Sequence, residues 1–313
     1  MSPLHILTPL RKHAALSQAA GREVLLKLEN LQPSGSFKLR GIGLMCQRAA
    51  AHGANHLICP SGGNAGFAAA FAGKALGLRT TILVPQTTPE SVREAIRAGG
   101  AHLIVHGSVW DETNEEALRL CRVAGTLYVP PFDHPDIWDG NATLIDEAVA
   151  QARQMDAEFD AVICSVGGGG LLCGVLQGLH RNGLADVPVI AVETEGAASL
   201  QASIAAGRLV TLPEITSIAS TLGAKRVAQA AFDWTSRHDV RSITVSDVQA
   251  VDACLQFADE LRMLVEPACG AALAVAYRDL PVLASARRPL IVVCGGIGVD
   301  LAKLQLWKNQ FRL

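Results

Sequence analysis

An amine able to attack a carbonyl is the most reactive group this sequence sets up. Lys38 lies in the stretch Gln32-Pro33-Ser34-Gly35-Ser36-Phe37-Lys38-Leu39-Arg40-Gly41. Pro33 and Gly35 break regular structure, and Ser34 or Ser36 is suited to cap a helix that starts near Phe37. Lys38 then falls in the first helical turn, at the positive end of the helix dipole. An ammonium is disfavoured there, so the pKa should fall and the free amine should be available to form a Schiff base. A solvated lysine beside a loop has the same local sequence, and the choice depends on the residues that accompany it.

Three glycine-bearing loops are that company. Gly167, Gly168, Gly169 and Gly170 follow a mostly apolar run, Ala161-Val162-Ile163-Cys164-Ser165-Val166, and open a helix at Leu171. Backbone without Cβ atoms can approach a ligand closely, and successive N–H groups at a helix start suit a phosphate. A plain strand-to-helix turn needs one glycine, so four favour anion binding. Ser61-Gly62-Gly63-Asn64-Ala65-Gly66 sits between a run ending at Cys59 and an alanine-rich helix. Ligands of open parallel sheets bind beyond the carboxyl ends of the strands, where this loop falls. Its donors suit a carboxylate and Asn64 suits a phenolic oxygen, while Asn64 could equally cap the helix. Cys294-Gly295-Gly296-Ile297-Gly298 follows Ile291-Val292-Val293. Cys294 reads either as a small buried hydrophobe or as a thiol facing a ligand.

A nicotinamide enzyme competes for these features, because Glu193 follows the tetrad at about the distance of a ribose-binding acid. However, G-x-G-x-x-G fails: starting at Gly167 it meets Leu172, and starting at Gly168 it meets Cys173. No Gly-Lys-Ser/Thr ending completes a Walker-type loop. A poised amine, glycine loops and no metal constellation point instead to a phosphorylated carbonyl cofactor. Pyridoxal phosphate fits, with the lysine on its aldehyde, glycine N–H groups on its phosphate and Phe37 against its ring.

The elements that must position these residues alternate. Short β-rich runs at 23–28, 56–59, 80–84, 102–106, 126–129, 161–166, 189–192 and 290–294 are separated by helical stretches. The helical stretches expected are 39–51, 65–76, 89–98, 111–123, 171–179, 197–206 and 300–309. Such alternation predicts an α/β fold with parallel-rich sheets flanked by helices. Pro130-Pro131-Phe132-Asp133-His134-Pro135 reads as a crossing between two sheets.

At 313 residues and 32.9 kDa, half of them hydrophobic, the chain can build one large domain or two. A net charge of −2 without a basic stripe argues against nucleic acid as a partner. No apolar run reaches membrane-spanning length and no signal peptide is evident. Eight cysteines without a C-x-x-C pair predict reduced, buried thiols and a cytoplasmic setting.

Taken in order, the segments Pro33–Lys38, Ser61–Gly66, Pro130–Pro135, Gly167–Leu172, Val265–Ala272 and Cys294–Gly296 carry a resemblance. From Thr8-Pro9-Leu10 almost to its end, the chain resembles the pyridoxal-phosphate L-serine/L-threonine dehydratases of the tryptophan-synthase-β-like fold, fold type II. The resemblance implies two domains, a large cofactor-binding one from 1–31 and 136–313 and a small inserted one from 32–135, usually in a homodimer. It implies that Lys38 holds the cofactor covalently with Phe37 against the ring. Asn64 would bond the ring hydroxyl, Gly167 to Gly170 with Leu171 the phosphate, and Cys294 the ring nitrogen. A neutral thiol there makes a weaker electron sink than a carboxylate partner and favours β-elimination over transamination. Ser34, Ser61, Gly62 and Asn64 would receive the substrate, and Ser61 would also assist catalysis. Glu193 and Ser199, with the carbonyls of Gly167, Ala197, Leu222 and Ala224, match the family's monovalent-cation site, for K+ among others. The reaction implied is L-serine to pyruvate and ammonia, and L-threonine to 2-oxobutanoate.

Some positions depart from the family. Gly62 stands where many active members have alanine, Thr221 replaces a usually smaller residue, and Ile297-Gly298 replaces Ser/Asn-Asn. These bear on rate and substrate preference. A racemase, with Ser61 as the second acid or base, and a β-replacement enzyme are alternatives with the same cofactor. An NAD-dependent oxidoreductase and a non-catalytic pyridoxal-phosphate or amino-acid binding protein are alternatives of other classes.

Overall fold

The computed structural model describes residues 2–313. In chain order, β1 (Leu10–Lys12), α1 (Ala14–Ala19) and β2 (Leu25–Leu28) come first, followed by α2 (Lys38–Ala51). A regular alternation follows: β3 (His56–Cys59), α3 (Asn64–Leu76), β4 (Arg79–Val84), α4 (Glu90–Ala98), β5 (His102–Val105), α5 (Trp110–Leu120) and β6 (Thr126–Tyr128). After α6 (Pro135–Gln154) come β7 (Ala161–Ser165), α7 (Gly170–Arg181), β8 (Val189–Thr194) and α8 (Ser199–Ala206). The remainder holds α9 (Gln229–Trp234), β9 (Val240–Val245), α10 (Asp247–Leu261), α11 (Pro267–Tyr277), β10 (Pro289–Val293) and α12 (Leu301–Phe311). The expected strands and helices stand within a few residues of their predicted places. Seven elements were not anticipated: β1, α1, α6, α9, β9, α10 and α11.

The chain divides into two compact units. One comprises the N-terminal residues through Ile6 with Gln32–Gly140, and the other Leu7–Leu31 with Asn141–Leu313. In the smaller unit a four-stranded sheet runs β5-β4-β3-β6, parallel throughout. Side chains alternate across a sheet, and β3 divides accordingly. Leu57 and Cys59 join Ile82 and Val84 in a core with Leu39, Ile42, Ala68 and Ala72 of α2 and α3. Ile58 faces the other way and packs with Leu83 and Ala117 of α5. Gln32 ties the N-terminal segment to this unit, its amide accepting from Ile6 N and donating to Ile6 O at 3.0 Å each.

In the larger unit a six-stranded sheet runs β1-β2-β10-β7-β8-β9, antiparallel only between β1 and β2. Strands β7, β8 and β10 are buried along their whole length. That explains their unbroken Val/Ile/Leu/Ala runs, because a parallel sheet covered on both faces has no solvent side to alternate with. Helix α11 packs against β10, β7 and β8. The one fully buried lysine of β2, Lys27, donates from Nζ to Thr8 O, Glu147 Oε2 and Gln151 Oε1 at 2.8, 2.7 and 2.9 Å. A buried charge is tolerated when it is paired and hydrogen-bonded in this way. Among the described residues no helix is long and apolar enough to cross a membrane, and no His/Cys/Asp/Glu group has metal-binding geometry. All eight cysteines are free thiols.

Candidate active site

In the smaller unit, Lys38 is the first residue of α2, as its position after Pro33 and Gly35 predicts. Neither serine caps the helix. Phe37 is already helical, with φ −53° and ψ −21°, and its carbonyl accepts from Arg40 N at 2.9 Å. Leu39 N reaches Ser36 O at 3.4 Å. Backbone carbonyls thus take the first amides that a serine side chain would otherwise accept. Ser34 Oγ and Ser36 Oγ are instead buried without a hydrogen-bond partner. Such atoms are rare in folded proteins because losing water without a replacement bond is unfavourable. Lys38 Nζ donates to Pro131 O at 2.6 Å and lies 5.2 Å from the centre of the Phe37 ring. The segment Pro130–Pro135 therefore does more than connect β6 to α6, because one of its carbonyls holds the amine.

The second loop of this unit joins β3 to α3. Asn64 is the first helical residue and is buried, while the N-cap is Gly63 without a side-chain bond. The capping reading of Asn64 is therefore excluded. Ser61 Oγ accepts from Gly63 N at 3.3 Å, which fixes its direction across the turn. A Cβ on Gly62 would stand 3.2 Å from both Thr88 Cγ2 and Val84 Cγ1. Cys59, at the end of β3, is buried, and burial pushes its thiol up to about 12 although the charge of Lys38 acts in the opposite direction.

In the larger unit, Gly167 to Gly170 connect β7 to α7. Gly169 has φ +89°, and a Cβ there would lie 2.4 Å from Ala231 Cβ. A Cβ on Gly167 would lie 3.0 Å from Leu222 Cα. Both positions need glycine, one for its backbone conformation and one for a close approach. No side chain caps α7 and its first turn carries no acid, so its leading N–H groups keep their capacity for an anion. Asn141 Nδ2 donates to Gly170 O at 2.9 Å and anchors the tetrad from behind.

Cys294 follows β10 and is buried. A hydrogen bond with Cys269, reinforced by burial, raises its thiol well above the ordinary range, so it is neutral at physiological pH. The sequence pointed to Cys294 but not to this partner, 25 positions earlier on α11. Thr221 Oγ1 donates to Glu266 Oε1 at 3.0 Å, a second pairing invisible to spacing.

Glu193 lies at the end of β8, fully buried, and its two oxygens accept from Leu200 N and Gln201 N at 2.8 Å each. It thereby occupies the start of α8. Burial pushes its carboxyl up to about 7, with the two amides opposing that rise. Ser199, the first residue of α8, is fully buried and its Oγ has no partner. Leu222 is beside Gly167, and its carbonyl accepts from Ala224 N at 2.7 Å. Ala197 N donates to Thr194 O at 2.9 Å in the turn between β8 and α8.

Residues 1–295 match the family model described as "Pyridoxal-phosphate dependent enzyme". The chain belongs to that family. Among relatives, the human (Homo sapiens) protein named "Serine dehydratase-like" is 48% identical, covering 98% of this chain and 95% of its own length. The human protein named "L-serine dehydratase/L-threonine deaminase" is 47% identical, covering 98% and 96%. Among solved structures, a fungal L-serine ammonia-lyase from Rhizomucor miehei superposes with a TM-score of 0.93 at 38% identity, over 99% of this chain and all of that one. The fold is fold type II of the pyridoxal-phosphate enzymes, and pyridoxal phosphate is the family's cofactor. The residues present fit that group. A glycine cradle that side chains would fill meets the needs of its phosphate, a helix-start lysine those of its aldehyde, and a neutral thiol is available for a ring nitrogen.

Proposed function

We propose that this chain is a pyridoxal-phosphate-dependent ammonia-lyase that converts L-serine to pyruvate and ammonia, and L-threonine to 2-oxobutanoate and ammonia. The observation that carries the reading is identity of nearly one half, over 98% of the chain, to a human protein named for both activities. Lys38 would hold the cofactor's aldehyde, Gly167 to Gly170 with Leu171 its phosphate, Asn64 its ring hydroxyl and Cys294 its ring nitrogen, with Phe37 on one face. When bound, pyridoxal phosphate supplies an electron sink that acidifies the substrate's Cα–H.

This chain's own groups then divide the work. Ser34, Ser61, Gly62 and Asn64 orient the substrate carboxylate through hydroxyl, amide and backbone donors. Lys38 Nζ, as a free amine, takes the Cα proton. The carbonyl of Pro131 aims that nitrogen. Ser61 hands a proton to the departing β-hydroxyl, which leaves as water. The released enamine takes up water and yields the oxo acid and ammonia. The thiol of Cys294 stays protonated throughout, so it donates a hydrogen bond rather than adding a negative charge.

Lys38→Ala tests the assignment. It should lose the visible absorbance of the lysine-bound cofactor and lower pyruvate formation from L-serine by ~10³-fold or more. Retention of normal pyruvate formation would exclude it. We further infer a monovalent cation, K+ among the candidates, held by Glu193, Ser199 and the carbonyls of Gly167, Ala197, Leu222 and Ala224. The partnerless buried Ser199 Oγ supports this reading. A homodimer in the cytoplasm completes the proposal, in keeping with eight unoxidised cysteines. Sedimentation at a mass near the 32.9 kDa of one chain would count against the dimer.

A further inference from the structure

On one face of the four-stranded sheet the helical cover is incomplete. Ile58 and Leu83 pack under Ala117 and Leu120 of α5. Towards the starts of the strands, His56 and Arg79 are register partners, as are Thr81 and His102, and a cavity of about 420 Å³ opens there. It lies at the opposite end of β3 from the Ser61–Gly66 loop and shares no residue with the candidate active site.

The start of this cavity is cationic and its donors are directed. Arg79 Nη2 is 2.8 Å from His56 Nδ1, and His56 Nε2 is 2.8 Å from Thr81 Oγ1. A guanidinium only donates, so Nδ1 must accept and the imidazole hydrogen sits on Nε2, donated to Thr81. The hydroxyl hydrogen of Thr81 is left for a further acceptor, beside the remaining N–H groups of Arg79. Among the described residues no carboxylate pairs with Arg79, and no acid lines the cavity. Burial, then Arg79, then His102 hold the His56 ring below its usual pKa, which agrees with the neutral tautomer that the geometry requires.

Two residues further along the strands the lining changes character. Ile58 follows His56 and Ile104 follows His102, while Leu120 of α5 and Val123, whose carbonyl accepts from the N–H of Thr126 beside His56, add apolar lining on the side of β6. Two residues of strand span ~7 Å, the length of a short alkyl chain. An unpaired guanidinium and hydroxyl one pleat away from an apolar wall match an anionic head on an aliphatic tail. An inorganic dianion would leave the apolar end uncovered, and a neutral alcohol would leave the charge unanswered.

We propose that this cavity binds a small aliphatic carboxylate, with its head group on Arg79 and Thr81 and its chain against Ile104, Leu120 and Val123. Calorimetric titration of the holoenzyme with hexanoate tests it, with 1-hexanol and inorganic phosphate as the comparison ligands. The expected result is saturable binding of hexanoate at one site, with both comparison ligands at least tenfold weaker. Arg79→Gln, which keeps a donor for His56, should weaken hexanoate at least tenfold while cofactor absorbance and turnover stay unchanged. Val123→Glu, at a residue 66% exposed on the turn after α5, should do the same from the side of β6 and serves if Arg79→Gln does not fold. Unchanged hexanoate affinity in the folded variants would overturn the proposal, because the carboxylate would then sit elsewhere. Absence of saturable binding, or phosphate or hexanol binding as tightly as hexanoate, would overturn it too.

Discussion

Lys38 combines two local influences that a lysine in a helix interior lacks. It begins α2, where the dipole opposes an ammonium, and the carbonyl of Pro131 accepts from its nitrogen and helps to direct it. The first was legible in the sequence, because Pro33 and Gly35 mark where a helix must start. The second was not, since every residue has a carbonyl and only the fold selects one. The same contrast separates Cys294 from Cys269, and Thr221 from Glu266. Each pair meets across a sequence gap that no local pattern spans. Gly62 gives a prediction at this scale. Alanine there should steady the substrate loop, and the φ of Gly62 is not positive, so the backbone accepts it. Its Cβ meets Thr88 and Val84 at 3.2 Å, and only the half-buried Thr88 can yield. Gly62→Ala with Thr88→Ser should therefore raise kcat/KM for L-serine above Gly62→Ala alone, by about twofold to fivefold. Equal values for the two variants would show that crowding at Thr88 does not matter.

At the scale of elements, the strands found from sequence are those with β-branched runs between Gly and Pro breaks. Those missed have physical reasons. Helix α11 is buried along nearly its whole length, so its apolar residues show no helical period. Strand β9 is an edge strand of half-exposed residues, Val240 to Ile243 among them, and reads as polar. Helix α6 continues without a break from the smaller unit into the larger, so no composition change marks the boundary after Gly140. The junction of β8 and α8 carries a pH prediction. Glu193 ionises at about 7 in the folded protein, against 4.5 for an ordinary glutamate. Between those values the native state keeps a proton that the unfolded chain has released, so stability falls as pH rises through the window. The full loss is ~3 kcal/mol above it. Denaturation of the parent and of Glu193→Gln at pH 4.5 and above 7 measures the difference. The loss should be confined to the parent, and K+ should reduce it by favouring the carboxylate. A pH dependence equal in both would remove Glu193 as its source.

At the scale of the molecule, the α/β class, its parallel sheets and the family were all readable from ordered glycine motifs and strand-helix alternation. The pairing order of the strands was not, because the partners of β2 lie at opposite ends of the chain. β2 takes β1 on one side and β10 on the other, and β10 also joins β7. A strand made of residues 289–293 is therefore the middle of a sheet whose first members are residues 10–28. Without Pro289–Val293, the other five strands separate into a pair and a triplet.

That placement sets a timetable for biosynthesis. A ribosome has emitted nearly everything before the larger sheet can close, whereas residues 32–140 include every strand of the smaller sheet and can settle while translation continues. Nascent chains stalled before Pro289 should resist protease only across residues 32–140, with protection of the rest arriving when β10 clears the exit tunnel. Early resistance over residues 141–288 would contradict this order of events.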